Sequence, residues 1–595
     1  MSPYKIKNYE SLDIETVWDN DIAKAICIAI TSEEKIYFKK VKIDEIDKNI
    51  ILDFLLDKCS GKKIYYVHNL TFETFVFLKG MIEKKINFKI ISANKTVYSM
   101  EIKYKGKKIK LRCSYRLTML SLKKLAELAE MDDKDIFPYK ILDLNLKEEM
   151  FMKEEMFKNN EEYKEFIKKY GEKINTYEIL ENYCKNDAKI TKMSIIKFWK
   201  IIEENGLINN NKILTAAKLS IENYFKNNKM IKKKISIKYD RIIRSGYFGG
   251  RTEVFGNPKK NEILLHYDWN GMYAQCMCEN VLGGEVFESE IIKNLEHPGF
   301  YWIKFIQELE YPILPIKKEK LLFANGIFEG WYWFEEILLG IEYGIKILEI
   351  KKMISSQYYD KFILNFVEKN NKIREISPLH KQIGKNNNNT FYGRLGMNPE
   401  RLEEEIVNKI ETKYEKIIET NGIFIGYKKK EKSTSNVLIS AAITSKARIK
   451  LYRGMMDVIK IGGRLIYTDT DSIIAAFNKN DYKKVLDIKI GEVIFDSKKK
   501  DTIIKDGVFA MPKTYALMYK DGSEIVKIKG FNSTPKFYEF KKKFYNKESI
   551  TTKNIEWNKK DFIIRYLTRE KTTNLNSLDK RIWKKGMKET IPIKI

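Results

Sequence analysis

A chain of 595 residues has room for roughly four domains of about 150 residues, which excludes a peptide hormone or a lone binding module. Its 44% hydrophobic and 13% aromatic content excludes a disordered chain. Lys and Arg number 110 against 81 Asp and Glu, a net charge of +29; the excess favours a polyanion, nucleic acid foremost, although a Lys-, Asn- and Ile-rich composition yields the same excess by itself.

The first strands are predicted at 10–19, 23–30 and 35–40, with a fourth at 62–70, a helix from Phe72 and a hairpin over 97–113 turning at Lys105-Gly106. This is an α/β unit with a mixed sheet. Asp13 and Glu15, two apart on the first strand, share one sheet face. Apolar residues recur at helical spacing from Asn175 to Glu204, placing Tyr183 and Asp187 at i, i+4 on one helix face. Residues 147–173 and 205–240 read as solvated, charge-rich connectors.

Asn261–Tyr267 reads as a buried strand ending in Asp268, and an acid there, with backbone amides opening behind it, suits a metal held against a triphosphate. Lys385–Gly393 (KNNNNTFYG) has two readings. As a helix it presents Lys385, Asn389 and Tyr392 on one face; as a low-complexity tract its four consecutive asparagines oppose helix formation. In Tyr467–Ser472 (YTDTDS), flanked by apolar residues, Asp469 and Asp471 sit at the bend of a hairpin and point the same way. Such like charges persist only around cations, and hard oxygen ligands select Mg²⁺. With Asp268, some 200 residues away, they suit two ions, one activating a 3′ hydroxyl and one neutralising pyrophosphate, which is nucleotidyl transfer. The basic segment from about 530 to 595 reads either as a thumb gripping duplex phosphates or as generic basic surface.

Six cysteines without paired C-x-x-C spacing and four histidines indicate neither a zinc module nor a disulfide framework. Cys276 and Cys278 read as buried small hydrophobes. The N-terminus lacks an apolar h-region and no run of about 18 apolar residues occurs, so the chain is expected inside a cell with its DNA, neither secreted nor membrane-bound.

These motifs resemble family B DNA polymerases. DWNGMY is similar to motif A, KNNNNTFYG to motif B and YTDTDS to motif C, in the family's order. Tyr247-Phe248-Gly249-Gly250 resembles the YxGG motif of the protein-primed branch of small phages, adenoviruses and linear plasmids, and Lys513-Thr514-Tyr515 its KxY motif. The resemblance implies an α/β multidomain fold: an RNase H-like 3′–5′ exonuclease domain over 1–205, a linker over 206–260, a right-hand palm and fingers over 261–530 with insertions at about 312–381 and 398–430, and a thumb over 531–595.

It also implies roles. Asp268, Asp469 and Asp471 become catalytic and metal-binding acids for two Mg²⁺, with Mn²⁺ as the alternative. Tyr273 becomes the steric gate, and Lys385, Asn389, Tyr392 and Gly393 contact the incoming nucleotide. Tyr247, Gly249, Gly250, Arg251, Lys513 and Tyr515 contact template and primer. LDIET and YCKND resemble exonuclease motifs, with Asp13, Glu15 and Asp187 as metal ligands and Tyr183 orienting the attacking water. Thr16, Asn69, Phe72, Ser121 and Leu122 match ligands of single-stranded primer, although core packing accounts equally well for Phe72. Lys140 is either an exonuclease-assisting lysine or a solvated one. Glu73 is the remaining catalytic acid that the resemblance implies, but HNLTFETF departs from the pattern, because Glu73 replaces the usual Asp and no other Asp lies between Asp57 and Asp132. Displacing a carboxylate by about 1 Å costs up to about 10²-fold, so slow proofreading is expected. Gly271, Ala274 and Thr390 also depart from the usual Ser, Pro and Ser.

The implied partners are template and primer DNA, deoxynucleoside triphosphates and a separate terminal protein that supplies the first hydroxyl; with only 12 residues before Asp13, a fused one is not expected. Host cytoplasm, or the mitochondrion for a linear plasmid, is the expected location. The alternatives are a nucleic-acid-primed family B polymerase and a catalytically degenerate DNA-binding protein.

Overall fold

The computed structural model describes residues 8–595 except 20, 95, 132–134, 144–145, 211, 229–230, 232–234, 291–293, 411, 421, 430–433, 487–502 and 559–564, and the side chains of residues 227 and 554–568. Parts of the second expected insertion and of the expected thumb therefore lie outside the described residues.

The N-terminal part is built on a mixed sheet. Tyr9–Asp19 pairs antiparallel with Ile22–Ser32 and parallel with Ile64–Val67, which in turn runs parallel to Lys107–Cys113. Tyr9 to Val17 are buried without a break, as befits a strand covered on both faces. The helix Thr176–Glu204 packs across this sheet through Leu180, Tyr183, Cys184 and Ala188, at intervals of three and four, and joins a core with Leu12, Ile14 and Val67.

The same sheet extends far in sequence. Asn87–Ala93 pairs with Glu403–Val407, so Ile406 and Ile423 enter the N-terminal core. At the other end, Ile22 opposes Arg565 of the hairpin formed by Ser549–Asn558 and Arg565–Asn574.

The second body centres on a seven-stranded sheet in the order Thr252–Val254, Arg464–Asp469, Ser472–Asn478, Glu262–Asp268, Ile504–Met511, Thr514–Tyr519 and Glu524–Lys527. Helix Val437–Lys460 closes its inner face, burying Ile439, Ile443, Ala447, Leu451, Met455 and Val458 among Leu265, Leu465 and Ile473. A separate four-stranded sheet orders Val281–Ser289, Lys346–Asp360, Phe300–Gln307 and Gly326–Trp333. It draws strands from both sides of residue 312, where the first insertion is expected to begin.

The two expected connectors are more structured than their charge suggests. Residues 147–173 hold helix Asn160–Tyr170, whose Phe166 is buried against Phe157. The expected linker 206–260 holds helices Ala216–Asn227 and Ile237–Ser245. Tyr224 in the first packs on Phe366 and Phe391 at centroid distances of 5.6 and 4.8 Å. A few apolar residues among lysines and asparagines suffice when a partner face is present.

The asparagine tract lies within helix Pro378–Leu395, capped by Ser377 with proline at its first turn. Asn387 and Asn388 are buried, and each finds a partner on helix Leu364–Arg374. Asn370 donates to Asn388 Oδ1 at 2.8 Å, while Asn387 and Asn388 donate to Asn370 and Asn371 at 3.2 and 3.3 Å. Tertiary hydrogen bonds thus override weak propensity, and the helical reading holds.

Candidate functional site

Two strands bring the first site together. Glu262–Asp268 runs antiparallel to Ser472–Asn478 in a register that sets Asp268 opposite Ser472. The amide of Trp269 then donates to the carbonyl of Asp471 at 2.8 Å. Burial, followed by the neighbouring Asp268, pushes the Asp471 carboxyl up to about 6. Two neighbouring carboxylates that supply hard oxygen donors are a fit for a divalent cation such as Mg²⁺.

The hairpin tip is strained and braced. Thr470 has φ of 68°, costly for a β-branched residue. Its amide donates to the Arg251 carbonyl at 2.7 Å. Strand Thr252–Val254 holds Arg464–Asp469 alongside, and Thr252 Oγ1 donates to Asp469 at 2.9 Å. Lys513 Nζ lies 3.0 Å from both oxygens of Asp469. Asp469, expected as a metal ligand, is thereby ion-paired with a lysine, whereas among the described residues neither Asp268 nor Asp471 has an ion-pair partner. Lys513 itself, expected at the primer end, is engaged with that carboxylate; Tyr515 packs against Tyr467 and Phe509 at 5.5 and 5.8 Å.

Arg251, expected at the template, is 2% exposed, ion-paired with Glu253 at 2.6 Å and donating to the Pro312 carbonyl. A buried guanidinium needs its carboxylate and carbonyls, and Glu253, two residues along the chain on strand Thr252–Val254, supplies one. Arg251 serves the site through its main chain.

The three sequence motifs converge. Tyr273 stacks on Tyr392, centroids 4.3 Å apart and planes at 21°. Both phenols are raised mainly by burial, with Asp471 adding to each. Lys385, Asn389 and Gly393 are exposed on the same helix at i, i+4, i+8. Upstream, Tyr247 packs against Gly396, whose added Cβ would meet its hydroxyl at 2.7 Å. Arg448, which sequence reading missed, is buried in a two-pronged pair with Glu336 and donates to the carbonyls of Phe248 and Gly249 at 2.8 and 3.1 Å. Nothing in a single sequence marks a helical arginine as the anchor of a segment 200 residues earlier.

The second site lies on the N-terminal sheet. Asp13, Glu15 and Asp187 offer ligand oxygens all within 4.8 Å of one another, the one such group of three among the described residues. The register shifts between Glu15 and Thr16, where Ile26 of the partner strand is the extra residue, and pairing then continues to Asp19. This oxygen set also fits a hard cation. A cleft of about 690 Å³ over it is lined by Thr16, Phe72, Leu122, His68, Tyr139 and Lys140, among others. Phe72 serves both readings, half-buried against the core and lining the cleft. Asn69 takes φ of 66°, tolerable for Asn, and its carbonyl accepts from Phe72 N at 3.0 Å. Ser121 caps helix Leu122–Leu128 by accepting from the Lys124 amide. Lys140 Nζ donates to the carbonyls of Glu155 and Phe157, so its ammonium is engaged with main chain.

Glu73 stands outside that group of three. It is buried on helix Thr71–Glu83, and its Oε2 has no hydrogen-bond partner among the described residues. Burial, with Asp13 adding repulsion, holds its carboxyl well above the ordinary range.

Comparison with known proteins places the architecture. Crystal structures of Phi29 DNA polymerase with primer-template DNA, and with incoming nucleotide substrates as well, match with TM-scores of 0.67 and 0.68 at 18% identity. They cover 95% of this chain and 100% and 99% of theirs, which shows a shared fold. A probable DNA polymerase of Ascobolus immersus is 24% identical over 90% of this chain and 48% of its own length. One from Neurospora intermedia is 26% identical over 86% and 58%, and the DNA-directed DNA polymerase of Enterobacteria phage PRD1 is 26% identical over 40% and 45%. The chain thus spans about half the length of these curated relatives. The model of the organellar and viral type B DNA polymerases matches residues 30–484, well over half of the sequence, and the chain belongs to that family.

Proposed function

We propose that the chain is a DNA-directed DNA polymerase that extends a primer on a DNA template with deoxynucleoside triphosphates. Its first primer is the hydroxyl of a separate terminal protein, and a second site removes mispaired 3′ ends. The observation that carries this reading is the Asp268–Asp471 pair beside the Tyr273–Tyr392 stack.

Asp268 and Asp471 would hold the divalent ions, which when bound lower the pKa of the primer hydroxyl and offset charge on the triphosphate. Asp469, fixed by Lys513 and Thr252, keeps the hairpin in register. Tyr273, backed by Tyr392, closes the space beneath the sugar and excludes a 2′ hydroxyl. Lys385, exposed on the same helical face as Asn389 and Gly393, meets the triphosphate, and Asn389, Tyr392 and Gly393 line the nascent pair. At the second site Asp13, Glu15 and Asp187 would hold ions for hydrolysis, with Tyr183 orienting water and Thr16, Asn69, Phe72, Ser121 and Leu122 holding the frayed strand. On this reading the exonuclease domain occupies residues 1–205. The segment over 398–430, joined to that domain by strand pairing, and the thumb from 531 enclose the DNA and support strand displacement. Among the described residues no helix is long and apolar enough to cross a membrane.

The test is template-directed extension by the purified chain with Mg²⁺ and four deoxynucleoside triphosphates, followed by labelling of a co-purified terminal protein with one nucleotide. Both are expected. DNA binding without incorporation overturns the polymerase reading, and extension of oligonucleotides without labelling of any protein overturns protein priming.

A further inference from the structure

We propose that Glu405 is a positioning residue for strand displacement. Its carboxylate, gathered with Lys89, Lys413, Lys428 and Tyr414, latches the segment over 398–430 to the N-terminal sheet and so fixes one wall of a basic cleft that reaches the polymerase site. The inference rests on the strand-displacement reading given above.

Glu405 lies in the middle of strand Glu403–Val407, opposite Ile91 on one side and Gly426 on the other. It is 2% exposed, and each of its oxygens has two partners. Oε1 meets Lys89 and Lys428 at 2.9 and 2.8 Å, while Oε2 meets Lys413 at 3.2 Å and accepts from the Tyr414 hydroxyl at 3.0 Å. Gly426 makes room for this arrangement, because a β-carbon there would collide with the Tyr414 ring. Burial by itself raises the carboxyl, yet hydrogen bonds from Lys428 and Lys89 outweigh it and bring it down to about 2. The latch is therefore ionic at any working pH.

The partners come from three separate pieces of chain. Lys89 stands on Asn87–Ala93 of the N-terminal sheet, Lys413 and Tyr414 on the loop after Glu403–Val407, and Lys428 at the end of the returning strand Ile423–Lys428. The outermost strand, Lys416–Thr420, is exposed along four of its five residues and brings no core of its own. It hangs on its pairing with Ile423–Lys428. A buried carboxylate demands its cations, so Glu405 orders every piece that supplies one.

The cleft beside this seam has a volume of about 930 Å³. Ser92 and Ala93 of the N-terminal sheet, Lys413 and Lys428 of the segment, and Arg394, two residues beyond Tyr392, all line it. Such cations suit a phosphate backbone, and a template strand drawn along them leaves its complement outside. Opening each duplex step costs free energy that an open template does not demand, so slack in this wall is felt when duplex lies ahead.

Glu405→Gln in the full chain keeps the shape of the side chain and removes its charge. Extension through a downstream duplex is expected to slow about tenfold, while extension on a single-stranded template stays within about twofold of wild type. Lys89 belongs to the latch but does not line the cleft. Lys89→Gln is therefore expected to show the same split, and the double variant to be no slower than Glu405→Gln alone. Undiminished displacement in Glu405→Gln, an equal loss on both templates, or additive losses in the double variant would each overturn the proposal. A wild-type chain that copies a single-stranded template but halts at a duplex overturns the strand-displacement reading itself, and the proposal with it.

Discussion

Gly250 lies against Thr470: a β-carbon on the glycine would stand 2.7 Å from the threonine Cγ2 and 2.8 Å from its Oγ1. The segment before the palm thus touches the strained tip of the hairpin between Asp469 and Asp471. The chain holds φ of 68° at Thr470 because the Arg251 carbonyl, one residue from Gly250, accepts its amide proton.

This contact separates two neighbouring glycines. Gly250→Ala is expected to displace the tip and lower primer extension about 10²-fold. Gly249→Ala, whose added carbon meets nothing within 4 Å, is expected to stay within about threefold of wild type. Single-nucleotide incorporation rates for the two variants check the contrast.

Asp471 gives a pH dependence. Its carboxyl is raised to about 6, above the unfolded value of about 4. The metal-free fold is therefore favoured at low pH, and this contribution is lost as pH rises through about 6. Asp471→Asn is expected to stabilise the metal-free chain by about 1 kcal/mol at pH 7, after discounting for solvent screening, and by nothing at pH 4. Thermal unfolding in EDTA at the two pH values checks the sign. In wild type, added Mg²⁺ is expected to raise the melting temperature more at pH 7.5 than at pH 5.5.

Glu73 is buried, its carboxyl is held well above the ordinary range by burial, and it stands outside the group of three acids. Glu73→Gln is therefore expected to leave thermal stability within about 1 kcal/mol of wild type. Glu73→Asp, which restores the shorter side chain, is expected to raise excision of a mispaired 3′ end about tenfold. An unchanged excision rate in the aspartate variant contradicts the expectation of slow proofreading.

The asparagine helix predicts a coupling. Asn388→Ala deprives the buried Asn370 of its 2.8 Å acceptor and is expected to cost about 1–3 kcal/mol. Removing both side chains is expected to cost less than the sum, which urea unfolding of the double-mutant cycle measures.

Much of this was legible in the sequence where periodicity was local. Asp268 closes an apolar strand, and Asp469 and Asp471 stand on either side of Thr470 at the bend between two apolar strands, so both positions follow from alternation and turn chemistry. The helix bearing Tyr183 and Asp187 showed its apolar stripe in the same way. What escaped depends on distant partners. The Asn370 side chain decides the fate of the asparagine tract, and Glu253 removes Arg251 from the surface. Pairing of Asn87–Ala93 with Glu403–Val407 crosses more than 300 residues without a local signal. Helix Ala216–Asn227 hid because its buried Leu219, Ile221 and Tyr224 sit among polar residues.

The most direct measurement is single-turnover incorporation of one deoxynucleotide by wild type, Asp268→Asn and Asp471→Asn, with primer-template affinity measured alongside. The account predicts that each substitution lowers incorporation at least about 10³-fold while the dissociation constant for DNA stays within about twofold. Incorporation at near wild-type rate in either variant, with Mg²⁺ present, contradicts it.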